Sequence, residues 1–309
     1  MSEVPPRAPA LVLRGRELAP GRAAVMAVVN RTPDSFYSRA RAADDDAALV
    51  AVEQAVAAGA DLVDIGGVRA GRGPAVDVAE EVARVVPLVR RIRAGHPDLP
   101  ISVDTWRAEV AREALEAGAD LINDTWAGHD PRLADVAAAA GAGLVCSHTG
   151  GLPPRTDPLR PAYPPVDEHG ALLEDPRDGV TVDVLRTLRA AADRAVAAGV
   201  APRSVLVDPT HDFGKTTWHS LHLTRRTPAL VGLGFPLLMA LSRKDFVGEM
   251  LDLPVDDRLE GTLAATSVAV WLGASVVRAH DVLATRRTVE MVAGLRGDLP
   301  PARAVRGLT

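Results

Sequence analysis

The sequence predicts a single (β/α)8 TIM barrel with a long rim loop after its fifth strand. Short apolar runs alternate eight times with amphipathic, alanine-rich stretches along the 309 residues, and this alternation is typical of a parallel α/β barrel. Several runs end directly in polar residues, such as Asp104, Asp124 and Asp208. Barrel strands carry their ligands at these carboxyl ends, so we expect the polar side chains to meet on one rim.

The predicted strands are short and rich in Val, Ile and Leu. They span residues 25–29, 62–65, 101–104, 121–123, 143–147, 205–208, 236–241 and 275–278. Amphipathic periodicity predicts helices between them, including residues 46–58, 78–93, 108–117, 181–198 and 259–272. A glycine-containing refrain precedes five of the strands, as in Ala58-Gly59-Ala60-Asp61. Glycine in this place ends a helix in the left-handed conformation.

Composition limits the classes of partner. The chain is 47% hydrophobic, which is enough for a full core at this length. Its formal net charge of -5 and pI of about 5.9 give no electrostatic reason to expect a nucleic-acid or anionic-membrane partner. The single cysteine, Cys146, excludes an internal disulfide and a thiolate zinc cluster, and this fits a cytoplasmic location.

Two parts are expected, a flexible N-terminal extension over residues 1–20 and the barrel over residues 21–309. The extension combines prolines with arginines and has no apolar core of signal-peptide length, and no later run is long enough to cross a membrane. Residues 150–179 follow the fifth strand and contain seven prolines. A loop of this length is either a rim loop that acts as a lid or a disordered segment.

The most informative stretch is Asp208-Pro209-Thr210-His211-Asp212-Phe213-Gly214-Lys215, directly after the apolar run Val205-Leu206-Val207. It places acidic, basic and aromatic side chains in one turn between a strand and a helix, where α/β proteins bind ligands. An Asp at such a strand end is also a common N-cap of the following helix.

An ordered series of motifs makes the chain resemble the dihydropteroate synthases of folate biosynthesis, from about residue 25 to the C-terminus. The first motif is Asn30-Arg31-Thr32-Pro33-Asp34-Ser35-Phe36. The others follow in the family's order: Asp64-Ile65-Gly66-Gly67, Ser102-Val103-Asp104-Thr105, Ile122-Asn123-Asp124, His148, Asp208-Pro209 with Phe213-Gly214-Lys215, Ser242-Arg243-Lys244, Arg258-Leu259-Glu260-Gly261-Thr262, and Arg278 with His280-Asp281. A folate-binding methyltransferase domain shares the barrel but is not expected to keep the first motif.

The resemblance implies an enzyme that joins 6-hydroxymethyl-7,8-dihydropterin diphosphate to 4-aminobenzoate and releases pyrophosphate with Mg²⁺ present. It also implies a homodimer formed by late barrel helices, for which residues 259–272 are suitably apolar. A pterin has an amide edge and a guanidine-like edge, so its pocket needs carboxylates and an amide. By matching position, the pterin-binding residues are Asp104, Asn123, Asp208, Phe213 and Lys244.

The resemblance also assigns the anion chemistry. Asn30 matches the contact to Mg²⁺ and diphosphate, and Arg278 with His280 matches the pair that holds the departing diphosphate. Arginine offers bidentate donors to phosphate, and a neutralised leaving group lowers the barrier to carbon-oxygen cleavage. Asn30, Arg278 and His280 are therefore the expected catalytic residues. Ser242 and Arg69 are expected on the side of the second substrate.

Four loops depart from the family's pattern. Where the family reads Glu-Ser-Thr-Arg-Pro-Gly after the second strand, this chain reads Val68-Arg69-Ala70-Gly71-Arg72-Gly73. Arg31 replaces a valine in the first loop. Thr210 and Asp212 replace two glycines, which restricts the backbone. The pterin-wall methionine that the family often has after its histidine is also missing, because Thr149 follows His148.

Three functions follow from this mixture. The chain is a working transferase of the synthase type, or a non-enzymatic or regulatory pterin-binding paralogue, or a transferase for another nucleophile or diphosphate, which Arg31, His211 and Asp212 suggest. The altered second loop makes the chain resemble the divergent second dihydropteroate synthase-like paralogue of some actinobacteria. The deep pterin set is intact in each case.

Overall fold

The protein was analysed as a computed structural model that describes residues 4–30, 45–71, 73–156, 162–167 and 169–306. The first motif after Asn30, from Arg31 to Phe36, and Arg72 lie outside these residues. The strands are β1 (Val12–Leu13), β2 (Arg16–Glu17), β3 (Ala24–Asn30), β4 (Leu62–Gly66), β5 (Ile101–Asp104), β6 (Leu121–Asp124), β7 (Gly143–Ser147), β8 (Val205–Asp208), β9 (Leu238–Met239) and β10 (Val276–Ala279).

Eight parallel strands form the predicted barrel. Their order is β8-β7-β6-β5-β4-β3-β10-β9. The two end strands meet where the Val207 N–H donates to the Pro236 carbonyl at 2.9 Å and Val207 forms a parallel bridge with Leu237. These contacts bring the ends of the sheet together, so the (β/α)8 prediction is confirmed.

The predicted strand boundaries hold for most of the barrel. The strands β5, β7 and β8 have the predicted limits. The exception is β9, which covers two residues where six were predicted over 236–241. Pro236 has no N–H for the sheet, and the Leu237 N–H donates to the Ser275 hydroxyl oxygen instead of to a strand carbonyl. The apolar run therefore continues beyond the regular strand.

The described helices are α1 (Asp45–Ala57), α2 (Val78–Gly95), α3 (Ala108–Glu116), α4 (Leu133–Ala139), α5 (Gly179–Ala198), α6 (Thr217–Arg225), α7 (Thr227–Val231), α8 (Asp245–Leu251), α9 (Leu259–Trp271) and α10 (Val282–Arg296). The five helices named from the sequence are all present. The refrain glycines before β4, β6, β7, β8 and β10 all have positive φ, which confirms their role at helix ends. They are Gly59, Gly118, Gly141, Gly199 and Gly273.

The core has two layers. The larger layer lies between the sheet and the helices, and includes Val63, Val89, Val103, Ile122 and Leu188. The smaller layer fills the barrel itself. Its members are Leu11, Leu13, Ala24, Met26, Leu62, Leu121, Val145, Leu206, Leu238 and Val276. The interior below the rim is therefore solid, and polar chemistry is confined to the strand ends.

The N-terminal segment contributes to the interior layer. The strands β1 and β2 form an antiparallel hairpin, and Leu11 and Leu13 are buried against the barrel interior. The missing side chain of Gly143, the first residue of β7, leaves room for Leu13. The hairpin therefore lies at the end opposite the polar rim. The flexibility expected for residues 1–20 stays a prediction, but residues 11–13 pack firmly within that segment.

Among the helices that the structure describes, none combines the length and apolar character needed to cross a membrane.

Candidate functional site

Four neighbouring strands place their last or next-to-last residues in one row on the rim. The register pairs Asn30 with Gly66, Gly66 with Asp104, and Asp104 with Asn123. Gly66 has no side chain, and a Cβ there would lie 3.1 Å from the Asn30 amide oxygen. The glycine of the second-strand motif therefore leaves the space in which Asn30 and Asp104 approach each other.

Asp64 is the hub beneath this row. It is fully buried and accepts hydrogen bonds from Ser102 Oγ at 2.6 Å, Asn123 Nδ2 at 3.0 Å and Arg278 Nε at 2.7 Å. The Asn123 amide is thereby oriented with its oxygen free for the pocket. Sequence analysis named Asp64 only as part of a motif. In a strand, side chains two residues apart point to the same face. Asp64 therefore points to the same side as Leu62, toward the barrel interior.

Two further carboxylates lie at the ends of β5 and β8. Asp104 accepts from Thr125 Oγ1 at 3.0 Å and from Arg278 at 3.4 Å. Burial and the neighbouring Asp64 raise the pKa of Asp104. Asp208 is also buried, and burial raises its pKa although the Thr210 N–H, at 2.7 Å, and nearby Lys244 oppose this. The pocket therefore holds carboxylates that gain from a cationic or N–H-rich ligand.

An aromatic and cationic wall stands beside Asp208. The Lys244 ammonium lies 4.3 Å from the centre of the Phe213 ring and donates to the His211 carbonyl at 2.9 Å. Trp126 packs edge-on against Phe213 at 5.3 Å. Burial lowers the pKa of Lys244, and Asp212 and Asp208 counteract this. Sequence analysis did not single out Trp126, which follows Asn123 by only three residues.

The loop between β8 and α6 keeps the backbone of the lost glycines. Thr210 has φ of 51° and Asp212 has φ of 71°, the left-handed region that is uncommon for a β-branched residue. Side-chain bonds hold the turn: Thr210 Oγ1 donates to the Asp208 carbonyl at 3.0 Å and accepts the His148 N–H at 3.2 Å. Gly214 is required, because a Cβ there would lie 2.2 Å from the Thr149 carbonyl oxygen.

Lys215 ties this loop to β7 from below. Its buried ammonium bonds to His148 Nδ1 and to the carbonyl of His148, both at 2.9 Å, and to the Phe213 carbonyl at 2.8 Å. The other imidazole nitrogen of His148 contacts Asp183 at 2.9 Å. Burial lowers the pKa of Lys215 to about 7 and that of His148 to about 4. The neutral imidazole therefore accepts from Lys215 and donates to Asp183.

Arg278 and His280 lie on β10 and directly after it. Arg278 is held by Asp64 and Asp104, whereas His280 contacts Ser242. Ser242 Oγ accepts the His280 backbone N–H at 3.2 Å and lies 2.9 Å from Nδ1. Burial and Arg278 lower the pKa of His280 to about 3. At neutral pH His280 is thus an uncharged imidazole, and the permanent positive charge beside it belongs to Arg278.

The altered second loop is held by the rim loop. Arg155 donates to the carbonyl of Gly71 at 3.2 Å and to that of Pro74 at 2.8 Å. This contact joins the loops after β4 and β7, and β5 and β6 lie between these two strands. Arg69 is half-buried in the same loop. Further along the rim loop, Tyr163 Oη donates to the Gly214 carbonyl at 2.5 Å.

The side chains of His211 and Asp212 contact the helices α6 and α8. His211 is fully buried, with Nε2 at 3.1 Å from Thr224 on α6. The Asp212 carboxylate accepts from Ser220 on α6 and from the Asp245 N–H of α8. Both side chains lie behind the pocket wall, so they give no support to a transferase for another nucleophile.

Asn30 offers one amide oxygen to a cation. Mg²⁺ binds oxygen ligands and usually keeps several waters and substrate phosphates, so the residue fits a magnesium ion that arrives with a diphosphate. Within the described ranges, one cluster has metal-ligand geometry, Asp175, Asp178 and His222. Its carboxylates already pair with Arg177 and Arg226. Those two ion pairs leave little reason for a cation there.

The fold and the rim are those of an α/β barrel whose polar strand ends suit a small, hydrogen-bonding ligand. The family model described as pterin binding enzyme matches residues 26–280. The chain is 57% identical over 96% of its length to the "Inactive dihydropteroate synthase 2" of Mycobacterium leprae, of which 99% is covered. It is 37% identical to the dihydropteroate synthase of Bacillus subtilis, with 87% of each chain covered.

A solved structure of the same family has the same fold. The Yersinia pestis dihydropteroate synthase, determined with a sulfonamide drug complex, superposes with a TM-score of 0.81 at 33% identity, over 93% of this chain and 99% of that one. The chain belongs to the dihydropteroate synthase family of pterin-binding enzymes. The family resemblance seen in the sequence is therefore confirmed.

Proposed function

We propose that this protein binds a pterin at the rim of its barrel and is a divergent member of the family that does not complete the ordinary condensation with 4-aminobenzoate. The observation that supports the pterin pocket is the arrangement around Asp64, Asp208 and Lys244. One edge of the pocket supplies carboxylates, and the other supplies an ammonium above an aromatic ring. A pterin has matching N–H-rich and acceptor edges.

In this proposal each deep residue has one task. Asp208 accepts from the guanidine-like edge of the pterin, and Asp104 accepts from a further ring N–H. The Asn123 oxygen, oriented by Asp64, accepts from the ring's amino or amide N–H. Lys244 donates to the ring's acceptor atoms, and Phe213 forms the wall. Because the donors and acceptors are fixed before binding, little ordering cost remains.

The same geometry supports an anion site beside the pterin. Arg278 is positioned by two carboxylates and His280 by Ser242, and both lie at the carboxyl end of β10, the strand that pairs with β3, which ends at Asn30. A diphosphate there would be held by Arg278 and the neutral His280, with Asn30 as the protein ligand of its Mg²⁺. The magnesium ion would neutralise charge on the leaving group.

The second loop supports the lack of ordinary synthase activity. Residues 68–71 carry no hydroxyl side chain, and Arg155 holds Gly71 and Pro74 by their carbonyls. A loop held this way has to break two hydrogen bonds before it closes over a second substrate. The relative from Mycobacterium leprae, which shares more than half of its residues with this chain, is described as inactive.

A working transferase is the second candidate. The deep set and the pair Arg278 and His280 favour it, as does the 37% identity to the Bacillus subtilis dihydropteroate synthase. Calorimetric titration with 6-hydroxymethyl-7,8-dihydropterin diphosphate and Mg²⁺, followed by addition of 4-aminobenzoate and detection of pyrophosphate, separates the candidates. Binding without release of pyrophosphate is expected. Release at the rate of an ordinary synthase would establish the transferase, and absence of binding would refute both.

A homodimer and a cytoplasmic location complete the proposal. The helices α9 and α10 leave several large apolar side chains exposed, and such a surface is typical of an interface. They are Val268, Trp271, Leu283, Met291 and Leu295. Sedimentation should give about twice the 32.4 kDa mass of one chain, and Met291→Asp with Leu295→Asp should yield monomers. Exposed Val50→Asp, on α1, is the matched control.

A further inference from the structure

Asp212 is the departure from the family's pattern that the structure explains in most detail. It stands where the family has a glycine, and it keeps a positive φ of 71°. An aspartate in this region is strained less than most residues, but it still gains nothing over glycine from the backbone alone. A contribution of the side chain is therefore needed to account for the residue.

The carboxylate of Asp212 joins two helices behind the pocket. Its Oδ2 accepts the Asp245 backbone N–H at 2.6 Å, and its Oδ1 accepts from Ser220 Oγ at 3.1 Å. Asp245 is the first residue of α8, and Lys244 directly precedes it as the N-cap, without a capping bond from its own side chain. Asp212 therefore provides the cap that Lys244 lacks.

The Lys244 side chain returns to the loop that caps its helix. The side chain runs back over the loop that contains Asp212 and bonds to the carbonyl of His211, the preceding residue. The same loop supplies Phe213, 4.3 Å beneath the ammonium. One loop therefore holds both ends of Lys244. Asp212 holds the backbone at the start of α8, and His211 and Phe213 contact the ammonium.

We propose that Asp212 is a positioning residue of the pterin pocket: it anchors α8 to the loop after β8 and holds the Lys244 ammonium, charged, over Phe213. The inference rests on the proposed pterin site for its functional consequence only. Several other charged or titratable groups lie near Lys244. They are Asp208 on β8, Lys215 beyond Asp212, Asp245 on α8, and Arg278 and His280 on and after β10.

The direction of the charge effect follows from this surrounding. Burial and Arg278 lower the pKa of Lys244, and among the groups that raise it Asp212 has the largest effect. Neutralising Asp212 therefore lowers the pKa of Lys244 further. The reason is that a buried ammonium without a neighbouring carboxylate loses its proton at a lower pH. Pterin binding would then weaken at a lower pH than in the unaltered protein.

The composition offers a direct measurement. Lys215 and Lys244 are the two lysines of the chain, and every other basic side chain that is permanently charged is an arginine. Labelling lysine with 15N at Nζ gives two NMR signals, which Lys244→Met would assign. Asp212→Asn keeps the shape and removes the charge, and Asp212→Gly restores the family's residue. Asp252→Asn is the matched control, because Asp252 is an exposed, left-handed aspartate at the other end of α8.

The expected result is that Asp212→Asn and Asp212→Gly each move the Lys244 titration to lower pH by about one unit, whereas Asp252→Asn leaves it in place. Calorimetry with the pterin diphosphate at pH 8 should show binding about tenfold weaker for both Asp212 variants. An unchanged Lys244 midpoint in both would overturn the inference. A shifted midpoint in a protein that never binds pterin would refute the proposed function and leave the positioning role of Asp212 intact.

Discussion

Arg278 Nε donates a 2.7 Å hydrogen bond to the fully buried carboxylate of Asp64, although β3 lies between their strands. The same carboxylate oxygen accepts from Asn123 on the opposite side. One buried anion thus sets the position of a cation for the proposed anion site and of an amide for the proposed pterin site. The two halves of the pocket are coupled through it.

Asp64→Ala should therefore disturb both halves at once. It leaves Arg278 and Asn123 without their shared partner, and breaking a buried ion pair from one side costs roughly 3–5 kcal/mol. We expect a large loss in urea denaturation experiments together with loss of pterin binding. Ser102→Ala, which removes one donor to Asp64 and leaves Arg278 paired, should cost about 1 kcal/mol. Equal losses in the two variants would argue against the hub.

Asp208→Asn tests the pterin assignment while keeping the loop. The amide oxygen can still accept the Thr210 N–H, so the turn is preserved, but the charged acceptor for the ligand is lost. We expect pterin affinity to fall by roughly 2–5 kcal/mol, with a small change in thermal stability. Asp98→Asn, at a highly exposed carboxylate, should leave affinity unchanged. Full affinity in Asp208→Asn would place the pterin elsewhere.

The buried histidines predict acid sensitivity. The pKa of His148 is lowered to about 4 and that of His280 to about 3, whereas an unfolded chain protonates histidine near pH 6.5. The unfolded state therefore binds more protons than the folded state as the pH falls from about 6.5 to 4. The two histidines lower the free energy of unfolding across that pH range. Buried carboxylates have the opposite effect on stability in acid. The pKa of Asp124, for example, is raised to about 6. The contribution of one histidine is therefore measured by comparing a variant with the unaltered protein.

In that comparison His280→Gln should make the decline of unfolding free energy between pH 6.5 and 4 shallower, by roughly 1–3 kcal/mol over the window. His129→Gln, at an exposed histidine, should follow the unaltered protein. Denaturant titrations at several pH values provide the measurement. Parallel curves for all three proteins would mean that His280 is protonated in the folded state.

The second loop can be tested by grafting. Replacing residues 68–71 with Glu-Ser-Thr-Arg restores the family's hydroxyls, but Arg155 still holds the carbonyls of residues 71 and 74. We expect pyrophosphate release to rise more when the graft is combined with Arg155→Ala than with the graft alone. Arg177→Ala removes a rim-loop arginine that pairs with Asp175 and is the control. No release with either graft would move the defect away from this loop.

Thr210 has two opposed contributions to stability. Its left-handed backbone costs roughly 1–2 kcal/mol in a residue with a side chain, and its hydroxyl bonds offset this by holding Asp208 and His148. Thr210→Gly should therefore change the free energy of unfolding by less than about 1 kcal/mol. Thr210→Val keeps the strain and loses the hydroxyl, and should destabilise by about 2 kcal/mol. Equal free energies of unfolding for Thr210→Gly and Thr210→Val would contradict these opposed contributions of backbone strain and hydroxyl hydrogen bonds.

The sequence by itself determined the barrel. The alternation of apolar runs with amphipathic stretches depends on local periodicity, which is the same before and after folding, and it located β5, β7 and β8 at their exact limits. The strand-end residues Asp104, Asn123 and Asp208 were predictable for the same reason. Parallel strands carry their last residues to one rim whatever the details of packing.

Tertiary structure decided which of those side chains touch. Asp64, Asn123 and Arg278 are far apart in the chain, and their shared hydrogen bonds depend on the shear of the closed sheet. Likewise, the cap that Asp212 gives to Asp245 spans 33 residues. A periodic pattern states which way a side chain points, but a hydrogen bond requires two atoms to meet within about 3 Å. That condition is set only when all eight strands have closed.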